Sequence, residues 1–124
     1  MLQNAPLYSY IPAKDVARAR KFYEEKLGFT PKNLTAGGVV YEFAGGTACF
    51  LYPTPNAGTS QASQAFWRVE DIEREVAELI SRGVKLEKYD MPGSDDKGIV
   101  TGGGAKAAWF KDTEGNIMAV IQSM

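Results

Sequence analysis

Leu7-Tyr8-Ser9-Tyr10-Ile11-Pro12-Ala13-Lys14-Asp15-Val16 is answered later in the chain by Ala65-Phe66-Trp67-Arg68-Val69-Glu70-Asp71-Ile72. In both stretches an apolar run passes into an aspartate and then into a helical pattern. Asp15 and Asp71 stand 56 residues apart (15 to 71). Each occupies a helix N-cap position, where a side-chain oxygen accepts an otherwise unpaired backbone N–H. Behind Asp15, the residues Val16, Ala19, Phe22, Tyr23 and Leu27 recur at helical spacing, and behind Asp71 so do Ile72, Val76, Leu79 and Ile80. Gly28 and Gly83 close the two patterns as left-handed C-terminal residues.

Short strand-like runs follow each helix. In the first half they are Phe29-Thr30-Pro31, then 38–43, then 47–52, with Gly45-Gly46 as a hairpin turn. In the second half they are 84–87, 107–111 and 116–122, with Asp112-Thr113-Glu114-Gly115-Asn116 as the turn. Each half therefore reads strand, helix, strand, strand, strand. The expected organisation is one domain over 1–124, with module 1 at 5–53, module 2 at 63–124, and the Pro-, Gly- and Ser-rich stretch 53–63 between them. Asp90 to Gly98, followed by Gly102-Gly103-Gly104, has no counterpart in the first half. It is expected to be a mobile loop, either covering a site or serving as an irregular insertion without a role.

Composition narrows the function. The chain has 124 residues, 44% hydrophobic, which is enough for a substantial core. A net charge of −1 gives no footprint for nucleic acid or anionic lipid, and no apolar run is long enough to span a membrane. There is no histidine, so imidazole bases, Ser-His-Asp and Cys-His nucleophiles and histidine metal ligands are all excluded. Cys49 stands alone, which rules out an internal disulfide and agrees with a reducing cytoplasm. With no secretory signal in the opening residues, the expectation is a soluble cytoplasmic protein. Cys49 is expected to be an inert buried thiol, and Arg18, Lys21, Glu24 and Glu25 an ordinary exposed helix face.

The doubled unit, with Asp15 to Tyr23 followed by Leu27-Gly28-Phe29, then 66–72 and Trp109 to Asn116, resembles the vicinal oxygen chelate superfamily. That family includes glyoxalase I, bleomycin-resistance proteins and extradiol dioxygenases. The resemblance covers nearly the whole chain, and Thr113 departs from the family's usual proline. It implies an α+β fold, with two tandem βαβββ modules forming a curved, partly open mixed-sheet barrel and the helices outside. It also implies a homodimer. Alternation along the strands agrees, with Ile11, Ala13, Trp67 and Val69 facing the helices and Tyr8, Tyr10, Gln64 and Phe66 facing a pocket.

Metal-dependent relatives take ligands from matched strand positions. Carried onto this chain, those positions fall on Tyr8, Phe50, Gln64 and Ala119, of which only Gln64 is an ordinary ligand. The resemblance therefore leads to a pocket without metal or other cofactor. Glyoxalase I and extradiol activities, which need the metal, are not expected. The expected ligand-binding residues are Tyr8, Tyr10, Phe50, Tyr52, Gln64, Phe66 and Trp109, suited to an apolar or aromatic small molecule. The same rings could instead fill the curve of the sheet, leaving a dimeric interaction module. A third reading is a lyase or isomerase with a carboxylate or tyrosine acid-base group, for which Glu42, Tyr8, Tyr10 and Tyr52 are the candidates. Repeat pairing matches Glu42 to Trp109.

Overall fold

A computed structural model describes residues 1–124, and both halves fold into sheets of the same plan. In the first, β1 (Tyr8–Ala13), β2 (Asn33–Thr35), β3 (Gly38–Glu42) and β4 (Ala48–Pro53) lie in the order β1-β4-β3-β2. β1 runs parallel to β4 and the other pairs are antiparallel. In the second, β5 (Ser63–Arg68), β6 (Leu86–Glu87), β8 (Ala105–Lys111) and β9 (Ile117–Ser123) take the order β5-β9-β8-β6. The sheets are mixed and do not close into a barrel, and helices α1 (Val16–Lys21) and α2 (Ile72–Ser81) cross between the parallel strands. No helix is long and apolar enough to cross a membrane.

The caps form as the two aspartates require. Asp15 accepts from the Arg18 N–H at 3.0 Å, and Asp71 from the Arg74 N–H at 3.2 Å. The helices end differently, however. Asp15 to Gly28 is one residue longer than Asp71 to Gly83, and the extra residue is absorbed by a π-helical turn over Phe22–Lys26. That turn carries two successive rings, Phe22 and Tyr23, into the core.

Three expectations need correction. Phe29-Thr30-Pro31 is not a strand. The Phe29 N–H is taken by the Tyr23 carbonyl at 2.9 Å, closing the helix around Gly28, so the strand waits until Asn33. Val84 is held in the same way by Leu79, which delays β6 to Leu86. The segment from Asp90 to Gly104 is not simply a loop. Ile99 and Val100 are buried, and β7 (Val100–Gly102) turns through Gly103-Gly104 to pair with β8.

One core joins the two halves. Ile11, Ala13, Tyr23, Tyr41 and Leu51 from the first pack with Ile72, Val76, Ala108, Phe110 and Met118 from the second, all on the helix-facing side of the sheets. The polar lock of this core is the turn Asp112–Asn116. The Glu114 carboxylate is completely buried, yet it accepts from the Asp15 N–H at 2.9 Å and from Arg18 Nε and Nη2 at 2.8 and 3.1 Å. Asp112 accepts from the Tyr23 hydroxyl, and Asn116 donates to the Pro12 carbonyl at 2.8 Å. Arg18 is thus a partner across the modules rather than a solvated charge. Glu24, also expected to be free, is held by Arg20 and by the Tyr41 hydroxyl.

Burial alone would raise the Glu114 carboxyl. The donors from Arg18, the Asp15 N–H and Thr113 outweigh it and hold the group at about 2, against an ordinary 4.5. A depressed carboxylate stabilises the fold above its ordinary titration range and loses that contribution as pH falls toward its folded value. Stability is therefore expected to decline between about pH 5 and pH 2, by on the order of 2 kcal/mol from this group. Urea melts of the wild type and Glu114→Gln should show a less stable variant with a flatter acid limb. Parallel acid limbs would contradict this role.

Candidate functional site

The face of the sheets turned away from the helices carries the rings expected to line a pocket. Strand alternation puts Ile11 and Ala13 of β1 in the core and leaves Tyr8 and Tyr10 outside, 52% and 62% exposed. On β4 the same alternation buries Cys49 and Leu51 and turns Phe50 and Tyr52 outward. The Tyr10 ring meets Tyr52 edge-on at 4.9 Å and Phe50 at 6.3 Å, and the latter two rings are parallel at 6.4 Å. These three form one aromatic cluster. Tyr8 lies beside it on β1 without a ring contact.

The second sheet contributes a separate group. Phe66, Ala119 and Trp109 stand in register across β5, β9 and β8, with Phe66 58% exposed and Ala119 only 1%. The corresponding row in the first sheet is Tyr10, Phe50 and Val40. Where that row has a central phenylalanine, this one has an alanine between two rings. Gln64 connects the groups. It is the extra residue of a β-bulge in β5, and its side-chain amide donates to the Tyr10 carbonyl at 3.1 Å. The bulge makes Ser63, rather than Gln64, the register counterpart of Tyr8.

Two participants escaped the sequence reading. Tyr89, at the head of the segment leading to β7, meets Trp109 edge-on at 5.5 Å. The Ser63 hydroxyl accepts from Trp109 Nε1 at 3.2 Å, so the indole is oriented on two sides. The only signal for Tyr89 was an aromatic residue opening an otherwise polar loop.

Glu42 is placed differently from its expectation. It pairs with Ala48 as Lys111 pairs with Ile117, so its counterpart is Lys111, and Val40 is the counterpart of Trp109. Its half-exposed carboxylate, at the end of β3 on the outward side, lies 3.6 Å from Lys32 Nζ. Cys49 is buried, and desolvation pushes its thiol up to about 11, which keeps it protonated at neutral pH.

The positions that the resemblance assigns to a metal are Tyr8, Phe50, Gln64 and Ala119. Phe50 and Ala119 offer no donor, Tyr8 is half exposed at the start of β1, and Gln64, whose NH2 donates to the Tyr10 carbonyl, leaves a single amide oxygen. No group of three or more Cys, Asp or Glu side chains converges anywhere, and every buried side-chain nitrogen and oxygen already has a partner. A divalent cation wants several oxygen or imidazole ligands, so these residues do not fit one.

Residues 7–120 match the family model of the Glyoxalase/Bleomycin resistance protein/Dioxygenase superfamily, and the chain belongs to that family. Among solved structures it is similar to UcmS2, with 19% identity, a TM-score of 0.74, and coverage of 94% of this chain and 96% of that one. It is similar also to TnmS3, an antibiotic binding protein from Streptomyces sp. CB03234, with 21% identity, a TM-score of 0.71, and coverage of 100% and 99%. A glyoxalase/bleomycin resistance protein from Catenulispora acidiphila DSM 44928 gives 22% identity, a TM-score of 0.69, and coverage of 96% and 98%. No curated protein matches the chain in sequence.

A ligand that binds the folded state raises its melting temperature by mass action. Thermal melts with Ni²⁺, Zn²⁺, Mn²⁺ or Fe²⁺ are expected to coincide with the melt in chelator. A saturable upward shift with any of them would show a metal site that these positions do not provide.

Proposed function

We propose that the outward aromatic face holds a small, apolar or aromatic molecule without a metal or other cofactor. Tyr8, Tyr10, Phe50, Tyr52, Gln64, Phe66 and Trp109 would be its binding residues, in a cytoplasmic homodimer whose second copy covers the open face. The observation that carries this reading is the exposure of Tyr10 and Phe66, two large rings on the side of the sheets that the core does not use. Contiguous exposed apolar surface marks interaction sites, and Tyr10 continues into the packed rings of Phe50 and Tyr52 on this face. Flat rings bind planar or apolar molecules by stacking and burial, and the Gln64 amide supplies a polar handle. The similarity to an antibiotic binding protein supports the same reading.

An enzymatic role finds less support. Glu42, on the outward side of β3 two residues beyond Val40, is half exposed and paired with Lys32, so nothing there raises its basicity as burial would. Cys49 is buried on the other side.

A neutral planar probe, 1-aminoanthracene, tests the proposal by its fluorescence on binding. The wild type should bind saturably, and the double variant Tyr10→Ser/Phe66→Ser should bind about tenfold more weakly or less, from two lost ring contacts. The variant's mass and melting temperature are measured alongside, so that a lost dimer or fold is told from a lost ring contact. Unchanged binding in a folded double variant would refute the assignment.

A further inference from the structure

Strand alternation sends few charges to the outward face. Among the strand residues on that side, the charged ones are Glu42 at the end of β3, Arg68 at the end of β5, Glu87 in β6 and Lys111 at the end of β8. Glu42 is paired with Lys32 at 3.6 Å and Glu87 with Lys111 at 3.5 Å. Arg68 has no salt bridge. Glu70, two residues further on, has left the strand for the start of α2 and makes none with it. One cation is therefore left over on a face whose carboxylates are both held.

Its neighbours are apolar. The row that crosses the sheet from Arg68 is Ile121 on β9, Ala107 on β8 and Val100 on β7. The row beside it is Phe66, Ala119 and Trp109. Arg68 follows Phe66 by two residues on the same side of β5, about 7 Å along the strand. A guanidinium on its long, exposed stem can reach the edge of a molecule stacked on the Phe66 ring.

The fold does not require this charge. Pro12 stands three residues before Asp15, where Arg68 stands three before Asp71. Both positions end a first strand, and only the second module carries a cation there. A guanidinium offers a planar fork of N–H donors that matches a carboxylate with two parallel hydrogen bonds. Ligand sites combine such a group with an apolar wall, the wall supplying burial and the polar group fixing orientation.

We propose that the outward site selects an aromatic carboxylate, its ring on Phe66 and its carboxylate on Arg68. The inference rests on the outward face binding a planar molecule and narrows that molecule to an acid.

Displacement of 1-aminoanthracene from the full chain at neutral pH compares 2-naphthoate with 2-naphthamide, its uncharged isostere. The wild type should bind 2-naphthoate about fivefold more tightly, the size expected of an ion pair open to water. Arg68→Gln should bring the two affinities together. Lys111→Gln, which removes an outward cation that Glu87 already holds, should keep the preference. Equal affinities in the wild type would overturn the selection of an acid while the outward site stands. A preference that falls equally in both variants would overturn it too, since it would then follow net charge rather than Arg68. So would bound 1-aminoanthracene that neither naphthalene displaces. If 1-aminoanthracene itself fails to bind, the outward site falls and this inference with it.

Discussion

The carboxylate of Glu114 carries the connection between the two halves. A buried charge is costly unless it is paired and hydrogen-bonded, and here Arg18 binds it with two nitrogens while the Asp15 N–H and the Thr113 hydroxyl complete the set. Arg18 and Asp15 begin the helix of one module, and Glu114 lies in the last turn of the other. The same turn takes the Tyr23 hydroxyl through Asp112, the Pro12 carbonyl through Asn116, and the Gly58 N–H of the connecting stretch at 3.3 Å. Five residues therefore tie the helix, first strand and linker of module 1 to the final hairpin of module 2. Gly58 passes so close that a Cβ there would sit 2.3 Å from the Glu114 carbonyl oxygen.

That polar lock has no equivalent in module 1, whose matching turn is Phe43-Ala44-Gly45-Gly46-Thr47, with Phe43 packed on Phe29 and Trp67 where module 2 has Asp112. The difference shapes both faces of the molecule. On the helix side, one seam is sealed by polar contacts while the other leaves Trp67 partly open. On the outer side, the rows Tyr10–Phe50–Val40 and Phe66–Ala119–Trp109 occupy the same lattice positions with different side chains. A fold built by repetition acquires function where the repeats diverge. The two rows differ most at their centre, where the first has Phe50 and the second Ala119.

Much of this was legible from residue spacing. The capping aspartates, the closing glycines and the alternation of Ile11 and Ala13 against Tyr8 and Tyr10 depend on local rules that tertiary structure did not override. The π-helical turn was also written in the spacing, as one residue too many between Asp15 and Gly28, although only the structure shows where the chain absorbs it. The bulge at Gln64 left no mark, because a period-two pattern does not reveal an extra residue whose side chain reaches a neighbouring edge. Nor did Arg18 announce its role. A charge on an exposed helix and one reaching 96 residues along the chain to a buried carboxylate look alike in sequence. The outward rings were identified by alternation, but not their division into a mutually packed trio and a pair flanking Ala119.

Binding on the outward face is proposed to involve an organic molecule, no metal and a second copy of the chain. Native mass spectrometry of protein purified without chelator tests these elements together. The account predicts a particle of twice the chain mass that gains only the mass of an added planar probe, free of metal increments. A monomer that takes up no probe, or a particle carrying stoichiometric metal, would contradict it.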